Sequence, residues 1–531
     1  MKKMSVLLAL VLMFVLSCGG HGNKGKELVL NLGTAPTSID PQITTDIAGG
    51  TVDDLLMEGL LRKDKDGKSV PGIAEKWEST PDGLKWTFHL RDAKWSNGDP
   101  ITANDFKAGW LRALDPKTGA ENAYLLFMIK NAEEFNSGKA TADQVGIKVV
   151  DPKTLVVELK TPTPYFDDLV TFKAYMPLNE KFFKEKGDKY FAETPDNTIS
   201  SGPYVLKKWT QDSDLKFEKN PNYWDAKNVK TDAITLKLTE DTTAAFNAFK
   251  NKELDVTKVT YQQAKAYKGK PELVNAADGG IWYLLLNNKV KPLNNAKVRQ
   301  ALQYAINRQE LISKVLEGSE KNTNTFTPSG VGIKGLKGDF AEEVPTKIPE
   351  FNVAKAKQLL AEGLKEEGMT KMPELEVIFA DTGSTKMIAQ YIQENLSKNL
   401  GIKLNLQVVT GKERISRSKQ RNYQIAIANW TGDFKDPITY LDIFESTNKG
   451  ANRGDFSNAE YDALSKKAKS TADPAVRVPA MIKMEKIISE QTPVVVLFQR
   501  QKNYLVNPKV KGLGFVAIGG EFNFKDLEVN K

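Results

Sequence analysis

The chain has 531 residues, 40% of them hydrophobic and 27% charged, and its 75 basic and 67 acidic side chains give a formal net charge of +8. One hydrophobic core stops growing near about 250 to 300 residues, so the length predicts two or three lobes, and the composition excludes a disordered or fibrous chain. The charges are interleaved without a basic block of the kind that grips phosphate backbones, so no nucleic-acid partner is expected.

Lys2 and Lys3 precede an apolar run from Val6 to Leu16, too short to span a bilayer, and residues 1–17 read as a secretory signal. The run ends Val15-Leu16-Ser17-Cys18-Gly19-Gly20, similar to a bacterial lipoprotein cleavage site, although Leu16 stands where a smaller residue is usual. Cys18 is the only cysteine, so a disulfide within the chain is impossible and Cys18 is the expected acylation site. An ordinary secretory signal cut nearby is the other reading. A cysteine carrying two or three acyl chains is retained at a membrane, and residues 18–26 then form a tether. No later run reaches the ~18 to 20 apolar residues of a spanning helix, so membrane contact is expected at one end only.

After the tether, Leu28, Leu30 and Leu32 alternate as in a half-buried strand, and Val52, Leu55, Leu56 and Leu60 recur at helical spacing. Trp86, Phe88 and Leu90 alternate again, as do Leu155, Val157 and Leu159. A helix is predicted from Ala296 to Leu316, carrying Val298, Leu302, Ala305 and Ile306. The clearest unit is strand Leu375 to Ala380, a helix carrying Met387, Ile388, Tyr391, Ile392 and Leu396, a stop at Gly401, and alternation over Ile402, Leu404, Leu406 and Val408, which together spell βαβ. Val494 to Phe498 reads as a buried strand. The chain is α/β throughout.

The inventory speaks against an enzyme. His21 lies in the tether and His89 in a strand pattern, leaving no free histidine, cysteine or metal cluster for acyl transfer or hydrolysis. Ser416 to Lys419 spells S-x-x-K without the accompanying motifs of penicillin-binding enzymes. Gly67-Lys68-Ser69 looks like the end of a phosphate loop, but Arg62 occupies the place of its first glycine. No cofactor is expected. Trp77, Trp86, Trp95, Trp110, Tyr223 and Trp224 are expected in the core, rather than as a stacking platform.

Several blocks together resemble the family-5 extracellular solute-binding proteins, which include bacterial oligopeptide-, dipeptide- and nickel-binding proteins. They are Ser38-Ile39-Asp40-Pro41 with Leu56 to Leu60, then Ala74 to Trp77, Asp82 to Arg91 and Lys94 to Phe106. Ser201 to Val205, Asn220 to Trp224 and Val298 to Arg308 come later. The resemblance implies a two-lobed periplasmic-binding-protein type II (Venus-flytrap) fold with an extra domain, three domains in total. By its landmarks, residues 27–57, 172–282 and 500–531 would form domain I, 58–171 domain II and 283–499 domain III. It implies a monomer outside the cytoplasmic membrane, lipid-anchored in the periplasm or at the cell surface, that binds short peptides and delivers them to an ABC-type permease.

Ile427 to Pro437 continues an apolar strand and ends in an Asp-Pro turn signal. Without the family, Asp433 is an ordinary loop aspartate. Oligopeptide-binding members carry an aspartate three residues after a tryptophan here, paired with the peptide's ammonium, and Asp433 after Trp430 matches it. Asn429 and Thr431 are then expected to offer main-chain bonds to an extended peptide. Thr44 to Ile47, including Thr45 and Ile47, falls where the family's opposing strand sits, and Tyr124 falls near a cleft tyrosine. Close oligopeptide binders carry an arginine and a glutamate where Ile427 and Thr45 stand, so peptide length and preference do not carry over. Arg414, Arg417, Lys419 and Arg421 read as a solvated basic face, with contact to a peptide carboxylate as the alternative. A carrier of a nickel chelate, haem or another amino compound is the alternative on the same fold, and a surface adhesion or peptide-sensing lipoprotein the alternative of a different class.

Overall fold

The computed structural model describes residues 26–64, 67–192, 194–333, 336, 338–380, 384–518 and 520–530. The expected signal, His21 and the acylation site at Cys18 lie outside the described residues.

Leu273–Leu286 and Val494–Val506, the longest strands, run antiparallel in the middle of a ten-stranded sheet. Val495, Val496 and Leu497 have no exposed surface, which explains a continuous apolar run in a strand covered on both faces. Beyond Leu273–Leu286 come Ile425–Thr431, Leu375–Ala380 and Leu404–Val409. Beyond Val494–Val506 come Val256–Lys258, Glu27–Asn31, Ala233–Lys237, Asp214–Lys219 and Tyr204–Thr210. The first half of the sheet is packed by helices Ala296–Ala305, Val353–Glu366 and Thr385–Leu400 around a core holding Val298, Leu302, Leu360 and Ile392. A separate antiparallel sheet holds Ala74–Ser79, Lys85–Leu90, Thr154–Glu158 and Ile147–Asp151 in that order.

The βαβ unit forms as its periodicity predicts. Leu375–Ala380 and Leu404–Val409 pair in parallel, and Gly401 closes the intervening helix with φ 69°, a left-handed conformation that glycine adopts without strain. Trp86, Trp95 and Trp110 are buried, and Trp86 and Trp110 surround Phe166, so these tryptophans are core. Three expectations change. The helix from Ala296 stops at Ala305, because Ile306 is extended and the Asn307 side chain accepts from the Glu310 amide at 3.1 Å, starting a new turn. Leu60, buried, lies beyond the helix Ile47–Leu56. Val408 is 56% exposed at the end of the sheet's edge strand.

The two central strands do not pair evenly. Ala277 faces Gln501 and Ile281 faces Gln499, so Asp278, Gly279 and Gly280 stand opposite Arg500 alone. Extra residues of this kind bend and twist a strand locally. No helix among the described residues is long and apolar enough to cross a membrane.

Candidate ligand-binding cleft

Strand Ile425–Thr431 is buried through Ala428 and emerges at Asn429, Trp430 and Thr431. Hydrogen bonds fix the segment beyond Thr431. The Gly432 amide donates to the Tyr440 hydroxyl at 3.1 Å, and that hydroxyl donates to the Gly279 carbonyl at 2.7 Å. A Cβ on Gly432 would stand 2.7 Å from the Tyr440 oxygen and 2.8 Å from the Thr439 methyl, so this close approach requires glycine. The Asp433 amide donates to Thr439 Oγ1 at 3.0 Å, and the Trp430 indole donates to the Thr439 carbonyl at 2.9 Å. The half-buried Asp433 carboxylate has no ion-pair partner among the described residues. Burial pushes its pKa up to about 6, opposed only by the neighbouring Tyr124 hydroxyl.

Tyr124 comes from a short turn, Glu121–Leu126, and is 48% exposed. The same turn is tied to the segment after Asp40-Pro41, because the Asn122 side chain donates through Nδ2 to the Thr44 carbonyl at 3.1 Å. Thr45 and Ile47 are both exposed. Thr44 to Ile47 is not a strand, however. Ile47 opens a helix whose N-cap is Asp46, its carboxylate accepting from the Gly49 amide at 2.8 Å, a start signal the sequence carried. The structure therefore places Tyr124 against Asp433, Asn429 and Trp430 on the adjoining strand end, and Thr45 and Ile47 beside the Tyr124 turn.

On the far side of Asp433, Phe434 stacks on Tyr165 with centroids 4.2 Å apart, and the Lys435 amide donates to Asp168 Oδ2 at 2.7 Å. Asp168 is also paired with Lys63, whose burial lowers its pKa to about 7. A cavity of about 840 Å³ opens here, bordered by Tyr165, Asp168, Lys435, Asp436 and Arg477. Asp436 and Arg477 form a buried two-bond ion pair, both contacts 2.9 Å.

Sequence reasoning missed the charges behind the seat. Asp278, 1% exposed, meets Arg500 Nη2 at 2.8 Å and Lys502 Nζ at 3.4 Å, and Arg500 Nη2 also reaches Thr431 Oγ1 at 3.4 Å. The available signal was an Asp-Gly-Gly run inside an apolar strand, which marks a bulge or a close backbone approach. The basic stretch divides: Arg417 pairs with Glu376 and Arg421 with Asp455, Lys419 is exposed, and Arg414 lines a small pocket beside Asn429 and Trp430. Gly67-Lys68-Ser69 leads into strand Ser69–Pro71 rather than a helix, so it is no phosphate loop. Among the described residues no group of three His, Cys, Asp or Glu side chains is placed to hold a metal.

A ten-stranded sheet in two halves, joined through a pair of long strands, with the Asp433 carboxylate two positions before Lys435 in the wall of a large cavity, defines a two-lobed binding protein of the periplasmic type II class. The chain belongs to the bacterial extracellular solute-binding proteins of family 5, whose middle-region model matches residues 68–452. It is 33% identical to the oligopeptide-binding protein OppA of Bacillus subtilis (strain 168) over 97% of each chain. The structure of Listeria monocytogenes OppA bound to peptide matches with TM-score 0.74 at 32% identity, covering 96% of this chain and all of the other. The unliganded open form of the periplasmic murein tripeptide-binding protein MppA matches with TM-score 0.82 at 28% identity, covering 95% of this chain and 98% of the other.

Proposed function

We infer that this protein binds short peptides in the cleft beside Asp433, outside the cytoplasmic membrane, and delivers them to the permease of an ABC transporter without chemical change. The observation that carries the reading is the Asp433 carboxylate: half-buried, fixed by its neighbours, unpaired among the described residues, and aligned with the free end of a strand. A peptide of any sequence offers its ammonium and its backbone, and these are the groups such a seat recognises. The relatives' described roles as oligopeptide binders, and the peptide seen in one of them, support it.

In this reading Asp433 takes the ammonium, Asn429, Trp430 and Thr431 flank the first peptide residues, and Thr45, Ile47 and Tyr124 close over them. Residues 27–57, 172–282 and 500–531 form domain I, 58–171 domain II and 283–499 domain III. The protein is a monomer, anchored through acyl chains on Cys18. The better match to an open, unliganded relative than to a peptide-bound one agrees with a cleft ready to receive ligand. Closure over the ligand then reports loading, because only the closed state makes both sets of contacts.

Native mass spectrometry of the soluble protein, purified without refolding, tests this. A ladder of short-peptide masses lost on denaturation is the expected result; a single non-peptide mass would move the fold to another solute.

A further inference from the structure

The seat at Asp433 and the uneven pairing of the central strands meet at one buried hydroxyl. From Gly280 to Leu286, strand Leu273–Leu286 pairs with Ile425–Thr431, whereas beyond Arg500 its partner Val494–Val506 pairs with Val256–Lys258. Asp278, Gly279 and Gly280 therefore stand where the two halves of the sheet join. Tyr440 is fully buried beside them. Its hydroxyl donates to the Gly279 carbonyl at 2.7 Å and accepts from the Gly432 amide at 3.1 Å, so one oxygen bridges the joint and the residue before Asp433. The approach is close from both sides, since a Cβ on Gly279 would stand 2.8 Å from this oxygen and a Cβ on Gly432 2.7 Å. Burial holds the phenol above its usual pKa; the Gly432 amide and Arg500 oppose this, and Asp278 and Asp433 add to it, so the hydroxyl stays a donor.

A second tie runs in parallel. Gly280 faces Thr431 in the sheet, and Arg500, held by Asp278 at 2.8 Å, reaches Thr431 Oγ1 at 3.4 Å. That contact is long and exposed, whereas both bonds of Tyr440 are buried, so the hydroxyl is the stronger tie. Its loss would leave a buried amide and a buried carbonyl unsatisfied. We propose that Tyr440 is a positioning residue: its hydroxyl aims Asp433 at the ligand's ammonium and ties the seat to the joint, so that occupancy of the seat and the angle between the halves of the sheet change together. Tyr440 acts through Gly432 and Gly279 and does not touch the ligand. The proposal rests on the peptide-binding reading of the cleft at Asp433.

Calorimetric titration of the wild type and of Tyr440→Phe with Ala-Ala-Ala, free and acetylated at its amino terminus, tests it together with small-angle X-ray scattering of the empty and peptide-saturated proteins. The wild type is expected to prefer the free-amino peptide and to become more compact on binding it. In Tyr440→Phe that preference is expected to shrink by about tenfold, and the compaction at saturation to be reduced. A role in packing alone would lower the unfolding midpoint and move neither quantity. A folded Tyr440→Phe that keeps the preference within about twofold, or keeps the full compaction, overturns the proposal. If Tyr440→Phe does not fold, hydrogen-deuterium exchange of the wild type decides. Ala-Ala-Ala is then expected to slow exchange in residues 429–434 and in residues 277–282, and slowing in 429–434 alone overturns the coupling. A wild type that binds neither peptide, or both equally, overturns the peptide reading and the proposal with it.

Discussion

Phe434 and Tyr165 lie face to face, ring centroids 4.2 Å apart and planes 7° from parallel, so the residue after Asp433 is fixed to a segment far earlier in the chain. Such aromatic pairs contribute about 0.5–1.5 kcal/mol beyond the area they bury. A double-mutant cycle of Phe434→Leu and Tyr165→Leu, read by denaturant unfolding, is expected to give a coupling energy in that range. Additive losses would show that the two rings do not support each other.

In the proposed reading, the ionisation of Asp433 sets the pH dependence of binding. Its pKa in the empty protein is raised to about 6 by burial. An ammonium favours the ionised form, so affinity is full well above pH 6 and falls as pH drops through it, by up to about tenfold per unit. The Tyr124 hydroxyl holds that pKa down. Tyr124→Phe therefore moves the midpoint upward and weakens binding at neutral pH. Titrations with a free-amino tripeptide between pH 5 and pH 8 measure both effects, and an unchanged midpoint in Tyr124→Phe would remove Tyr124 from the seat.

Asp278 holds Arg500 and Lys502 at the uneven pairing of the two central strands. Asp278→Ala leaves Arg500 without its buried carboxylate and leaves Lys502, only 8% exposed, with the more distant Glu521 at 3.9 Å. A loss on the order of 3 kcal/mol in unfolding free energy is expected, less if the partly exposed Arg500 swings to solvent. A loss below about 1 kcal/mol would show that the cluster contributes little to the junction.

Much of the frame was legible. The alternation in Leu375 to Ala380, the helical spacing after it and Gly401 predict the βαβ unit because each signal is local. Asp433 became legible only through a family motif, since nothing in a loop carboxylate tells whether a cation stands beside it. The division among Arg414, Arg417 and Arg421 was not legible, because Glu376, Asp455 and Arg453 reach them through the fold and not through spacing. Two helix boundaries had signals that periodicity alone ran past. Asn307 inside the predicted long helix and Asp46 before Ile47 are both capping residues, and each sets a boundary.

Glu320 packs against the same junction as Asp278, with Oε2 accepting from the Gln501 amide at 2.8 Å. Burial raises its pKa from 4.5 to about 7; Arg500 and Lys258 oppose this and Asp278 adds to it. A carboxyl raised by folding costs stability when it ionises. Its contribution is greatest below pH 4.5 and is lost as pH rises toward 7. Glu320→Gln keeps an acceptor and no longer ionises, so its stability relative to wild type should rise between pH 5 and pH 8 in denaturant unfolding. A constant difference across that range would show that Glu320 ionises without cost.

The most direct measurement is calorimetric affinity for one tripeptide, with a free and with an acetylated amino terminus, in the wild type and in Asp433→Ala. The account predicts that acetylation and Asp433→Ala each weaken binding by about 3–5 kcal/mol, a hundredfold or more, and that their effects do not add. Equal affinity of wild type and Asp433→Ala for the free-amino peptide would contradict it.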